Sequence, residues 1–168
     1  MAKDSQSRGT FPLLTAYGIA MAYVEAIVVV YLRTIMPLSE WERQVHDVPS
    51  MTQFLVKYHV LWTEQTREAA TIIMLLAVAI LSGATVRRKI AHFLYTFAIW
   101  DIFYYVFLYA LIKWPPTLAT LDLLFLLPGP WVAPVYVPVS ISCVMIALAI
   151  LIVRQESPGK APSKSKKK

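Results

Sequence analysis

"IAHFLYTFAIWDIFYYVFLYALI" (Ile90–Ile112) is a nearly unbroken apolar and aromatic run in which the only acid is Asp101. At about 1.5 Å of rise per residue, roughly 20 residues cross a ~30 Å hydrocarbon core. The run therefore predicts a membrane-spanning helix with a carboxylate about halfway along it. Three more stretches read the same way: Phe11–Leu32, the short but continuous Ala69–Val86, and Trp131–Val153. The expected fold class is all-α, a polytopic membrane protein with four transmembrane helices in a single domain, residues 1–156. Residues 157–168 read as a disordered basic cytoplasmic tail, since Pro, Gly, Ser and Lys leave almost nothing apolar to bury.

Composition agrees. The chain is 58% hydrophobic and 15% charged, against roughly 45–50% and ~25% in soluble domains. Its net charge of +6 does not point to nucleic acid, because the cations sit at "VRRK" (Val86–Lys89) and in the tail, flanking apolar runs. Cations so placed mark the cytoplasmic side. Lys3 and Arg8, Arg87–Lys89 and the tail fall on one side of four spans, so both termini are expected in the cytoplasm. "AMA" (Ala20–Ala22) mimics a signal-peptidase site, but the apolar run continues well past it and reads as an anchored helix. A lone Cys143 excludes a disulfide framework within one chain.

The outer connection between the first two spans is patterned. "SEWE" (Ser39–Glu42) fits a capping box. Met51, Phe54, Leu55, Tyr58, Leu61 and Trp62 form a helical stripe that either lies on the membrane surface or extends the second span. Farther on, "LATLDLLFLL" (Leu118–Leu127) is too short to span and reads as a re-entrant or interfacial helix. Pro130, Pro134 and Pro138 follow at intervals of four, as on one face of a kinked helix entry. "LSGAT" (Leu81–Thr85) reads as a small-residue patch permitting close helix approach.

The acids cluster by depth. Measured from the cytoplasmic end of each span, Asp101 lies roughly 16 Å in, Glu25 roughly 21 Å and Glu68 roughly 27 Å. Arg33, Glu64 and Arg67 sit at the outer boundary, and Asp122 lies in the outer segment. Charges at such depth cost ~2.5–3.5 kcal/mol or more and face the bundle interior, protonated, paired with Arg33 or Arg67, or bound to a cation. Tyr104 and Tyr105, at i+3 and i+4 from Asp101, are placed to donate hydrogen bonds to it. Glu64 and Glu68 share a face, and the adjacent Arg67 can offset their repulsion. The candidate site is thus Glu25, Arg33, Glu64, Arg67, Glu68, Asp101, Tyr104 and Asp122. Two roles stay open for it: a polar network that fixes helix register, or a site for a small molecule, proton or ion.

No metal or other cofactor is expected. Di-metal carboxylate bundles pair their acids with Glu-x-x-His, and His46, His59 and His92 do not accompany these acids at helical spacing. His92, near a span end, reads as structural rather than as a haem ligand. There is no Walker loop, GxSxG, HExxH or dinucleotide fingerprint. Any enzyme here would be an intramembrane type built from scattered residues.

"EAIVVVYLR" (Glu25–Arg33), "REAAT" (Arg67–Thr71), "WDIFYY" (Trp100–Tyr105) and "DLLFLLPGPW" (Asp122–Trp131) together resemble a family of small four-helix bacterial integral membrane proteins with no assigned activity. The resemblance implies a bacterial inner-membrane protein and supplies no reaction. Three functions remain in view: a polar intramembrane site for binding or translocation, an accessory or scaffold subunit of a larger membrane complex, and an intramembrane enzyme acting on a lipid-like substrate. Membrane lipids are the expected partners, with a second membrane protein or a second copy of the chain next.

Overall fold

The structure is a computed structural model that describes residues 2–36 and 38–156, with side chains from Gly9 onward except that of Leu38. The tail expected at 157–168 lies outside the described residues. Six helices and one β-hairpin follow in the order α1 (Ala2–Ile35), α2 (Leu38–Gln44), α3 (Val48–Lys57), α4 (Leu61–Ser82), α5 (Val86–Ile112), β1 (Leu121–Phe125), β2 (Trp131–Pro134) and α6 (Tyr136–Glu156). Among the described residues, four segments are long and apolar enough to cross a membrane: Gly9–Ile35, Leu61–Ser82, Val86–Ile112 and Tyr136–Glu156.

α5 is the central helix and packs against α1, α6 and, less extensively, α4. Small residues allow the closest approach. Ala22 and Ala26 on α1 are fully buried, and a Cβ on Gly18 would lie 2.9 Å from Ile99 Cγ2 and 3.3 Å from the Thr96 carbonyl oxygen on α5. Gly18, Ala22 and Ala26 thus make a small-residue stripe at intervals of four. Leu81–Thr85 does not play that part. It ends α4 and makes the tight turn to α5, where Thr85 caps α5 by accepting from the Arg88 amide and Leu81 is exposed. Gly83 is required there because a Cβ would meet the Lys89 backbone nitrogen at 2.6 Å. Glu156, at the end of α6, pairs with Arg88 at 3.0 Å and accepts from Thr85 at 2.8 Å, closing this end of the bundle.

The opposite end carries a cap. α2, α3 and the hairpin enclose a core of Met36, Val45, Met51, Phe54, Leu55 and Leu126. Ser39 lies inside α2 rather than ahead of it, so the expected capping box does not form. The cap that does form is Asp47, whose side chain accepts from the Ser50 amide at the start of α3. The stripe from Met51 splits: Met51, Phe54 and Leu55 belong to α3, and Leu61 and Trp62 open α4. His59, with φ of 57°, turns the chain between them.

The largest correction concerns the segment expected to be a short helix and a kinked helix entry. Leu121–Pro134 is an antiparallel hairpin, with Leu121 opposite Pro134, Asp122 opposite Ala133 and Leu123 opposite Val132, and a bulge before Phe125. A short apolar run fits a buried strand or a helix equally well by periodicity, and the flanking prolines and glycine favour the strand. Pro130 and Pro134 sit in the turn and the second strand. Pro138 lies in the first turn of α6, where a proline interrupts no helical hydrogen bond. The fourth span consequently begins at Tyr136 and not at Trp131. The hairpin still re-enters the bundle: Phe125 stacks on Phe97 of α5 at 6.1 Å between ring centroids, beside Leu75 and Trp100.

The surface inverts the pattern of a soluble protein. Leu13, Val24, Ile73, Leu81, Val144 and Leu151 are exposed, while Glu25, Glu64, Glu68, Asp101 and Asp122 are buried. Soluble proteins rarely expose so much contiguous apolar surface or bury so many carboxylates.

Candidate functional site

The buried acids meet beneath the cap. Residues of α1, α4, α5, α6 and β1 line a cavity of about 100 Å³, room for several water molecules. All eight residues singled out from the sequence are on its wall: Glu25 and Arg33 from α1, Glu64, Arg67 and Glu68 from α4, Asp101 and Tyr104 from α5, and Asp122 from β1. Five carboxylates thus face two guanidinium groups.

Arg67 pairs as the spacing suggests, and the partners of Glu68 and Asp101 differ. Arg67 bridges α4 to α1, its Nε donating to Glu64 at 2.8 Å and its Nη1 to Glu25. Thr71 Oγ1 reaches the other Glu25 oxygen at 3.5 Å. Glu68 is engaged by the hairpin. It accepts from the Leu126 amide at 2.9 and 3.0 Å and from the Leu127 amide at 3.0 Å, and Gln65 donates to the Leu126 carbonyl at 3.3 Å. α4 therefore satisfies the backbone of a turn that would otherwise leave buried polar groups unpaired.

Asp101 is bonded from α6, by Ser142 Oγ at 2.8 Å, and not by the tyrosines one turn on. Tyr105 donates instead to Asp122 at 3.0 Å, and among the described residues the Tyr104 hydroxyl makes no hydrogen bond. Asp101 and Glu25 share the cavity wall but are held by different groups. Burial pushes Asp122, in β1, up to about 6, against the opposing pull of the Tyr105 hydrogen bond and the Arg33 charge.

Among the described residues, Arg33 pairs with no carboxylate at hydrogen-bonding distance. Its guanidinium carbon lies 4.0 Å from the centre of the Trp114 ring, a cation–π contact, and its buried Nη1 has no hydrogen-bond partner. The indole nitrogens of Trp41 and Trp100, two more wall residues, are also buried without partners. Among the described residues, no three histidine, cysteine or acidic side chains converge as metal ligands.

Ser142, Thr71, Trp41, Trp100 and the Leu126–Leu127 amides were not identified from sequence as parts of this site. Ser142 had one signal: "SIS" (Ser140–Ser142) is a polar pair inside an otherwise apolar span. Compared with known proteins, the chain matches no family model, no curated protein and no solved structure.

Proposed function

We propose that this chain is an integral membrane protein of the bacterial inner membrane, with both termini cytoplasmic. Its capped cavity binds a small polar molecule, or passes a proton or ion, from the outer side. The reading rests on the unused bonding capacity of the cavity wall. Asp101 has one donor, Ser142, while Arg33 Nη1 and the indole nitrogens of Trp41 and Trp100 have no acceptor. A network serving helix register alone gains from satisfying every member, because each buried unpaired group costs about 1–3 kcal/mol. Here donors and acceptors are held apart around a space.

Asp101→Asn tests this. The change keeps shape and most hydrogen bonding but removes the charge. The expected result is an assembled protein with nearly unchanged melting temperature in detergent. Thermal shifts produced in the native protein by a panel of amines, amino acids, carboxylates and inorganic ions should be lost. A lowered melting temperature, with binding in proportion to the folded fraction, would make the cluster structural.

A subunit role is the second reading, supported by α6. That helix buries only Ser142 and Ala149 fully and exposes Ile141, Val144, Leu148 and Leu151, a face for lipid or for another helix. Co-purification of a stoichiometric partner from native membranes would favour it.

A further inference from the structure

A second recess lies against the first. An apolar groove of about 450 Å³ runs along the outside of the bundle between α5, the Pro115–Leu118 segment and α6, lined by Ile102, Val106, Tyr109 and Val139 among others. It merges with the exposed apolar belt of the spans, since Val106, Tyr109 and Leu118 are themselves exposed. Tyr105 belongs to both recesses. Its ring borders the groove, and its hydroxyl donates to Asp122 on the cavity wall. The α6 side is split in the same way, with Pro138 on the cavity and Val139 on the groove. One tyrosine and one turn of α6 thus divide an apolar channel from a charged chamber.

The chamber's charges say what its occupant carries. Glu25 and Glu64 share Arg67, and Glu68 is bonded by two backbone amides. Asp101 accepts from the Ser142 hydroxyl, and Asp122 from the Tyr105 hydroxyl and the Leu123 amide; Ile102, next to Asp101, and Tyr105, the partner of Asp122, line the groove. Arg33 offers a buried nitrogen with no acceptor. Two acids without a hydrogen-bonded cation, with the Arg33 charge reaching Asp122 only through space, and a guanidinium nitrogen without an acceptor fit a small zwitterion. The chamber's size admits an aminoethyl group and excludes a large head group.

Resting on the cavity reading above, we infer that the ligand is a membrane lipid with a small amine- and phosphate-bearing head group. It enters sideways between α5 and α6, its chain in the groove, its amine toward Asp101 and Asp122, and its phosphate toward Arg33. Tyr105 is the gate between the two recesses.

The test uses the full chain in vesicles of phosphatidylethanolamine and phosphatidylglycerol. A trace of either lipid carries a diazirine on its chain, and photo-adducts are mapped by mass spectrometry. The expected result is adducts at Ile102, Val106, Pro115–Leu118 and Val139, several-fold denser than at the lipid-facing Val144 and Leu148. Labelled phosphatidylethanolamine should exceed labelled phosphatidylglycerol at those positions. Val106→Trp, at an exposed position that tolerates bulk, should remove the groove adducts, and Asp101→Asn should remove only the head-group preference. Groove labelling no denser than at Val144 overturns the lipid site. Dense labelling without preference for the amine lipid overturns the coupling of groove to cavity. In either case small polar molecules that still shift the native melting temperature would leave the cavity reading intact.

Discussion

Removing the Glu68 carboxylate should release the hairpin from the bundle before it unfolds anything else. In the native chain this carboxylate accepts from the Leu126 and Leu127 amides at 2.9–3.0 Å. Leu126 is buried and Leu127 is 42% exposed, so water can replace the second bond more readily than the first. Hydrogen bonds to a charged group contribute about 1.5–3 kcal/mol each. The Leu126 amide is a single donor shared between the two oxygens, and counting it once in full and the Leu127 bond in part gives about 3 kcal/mol for Glu68→Ala. At about 1.4 kcal/mol per factor of ten, opening of the turn becomes roughly 100-fold more frequent. Glu68→Gln keeps one acceptor oxygen without charge and should cost about 1 kcal/mol, a roughly fivefold change. Hydrogen–deuterium exchange of the Leu126 and Leu127 amides in detergent reads this directly. Glu64→Gln is the control, since Glu64 bonds Arg67 and not the hairpin. Equal exchange at these amides in native and Glu68→Ala protein would refute the clamp. So would a uniform rise across all helices, which would mean that Glu68 supports the bundle as a whole.

Gly18→Leu should lower the melting temperature sharply by forcing α1 off α5, at a cost of about 1–3 kcal/mol or more, whereas Gly9→Leu, with open space around its Cβ, should be neutral in the same thermal melt. In a Cys143→Ser background, a cysteine at His46 should react with an impermeant maleimide on intact cells and one at Arg87 should not; labelling of Arg87→Cys would reverse the topology. Asp122 holds its proton more tightly in the folded chain, near 6, than at its ordinary 3.8. Its contribution to stability is complete below the lower value and lost as pH rises through the higher one. The melting temperature should therefore fall across that interval, and Asp122→Asn should flatten the fall.

Residue type and spacing alone located four helices and placed the acids in the capped half of the bundle, because a run of apolar residues long enough to cross a bilayer has few other uses and a carboxylate within it is costly. Glu25, Glu68 and Asp101 could be picked out in this way without knowing any contact. The shape of the cap could not. "LDLLF" is apolar at every position but one, so its periodicity does not separate strand from helix. It is a strand because β2 pairs with it and because Glu68 and Gln65 satisfy the turn beyond it. The pairing of the charges was equally hidden. Helical spacing put Tyr104 and Tyr105 beside Asp101, yet Asp101 bonds Ser142, 41 residues away, and Tyr105 bonds Asp122. Spacing along one helix states which side chains share a face. Which of them meet is decided by the helix or hairpin packed against that face, and only the tertiary structure brings α6 and β1 there.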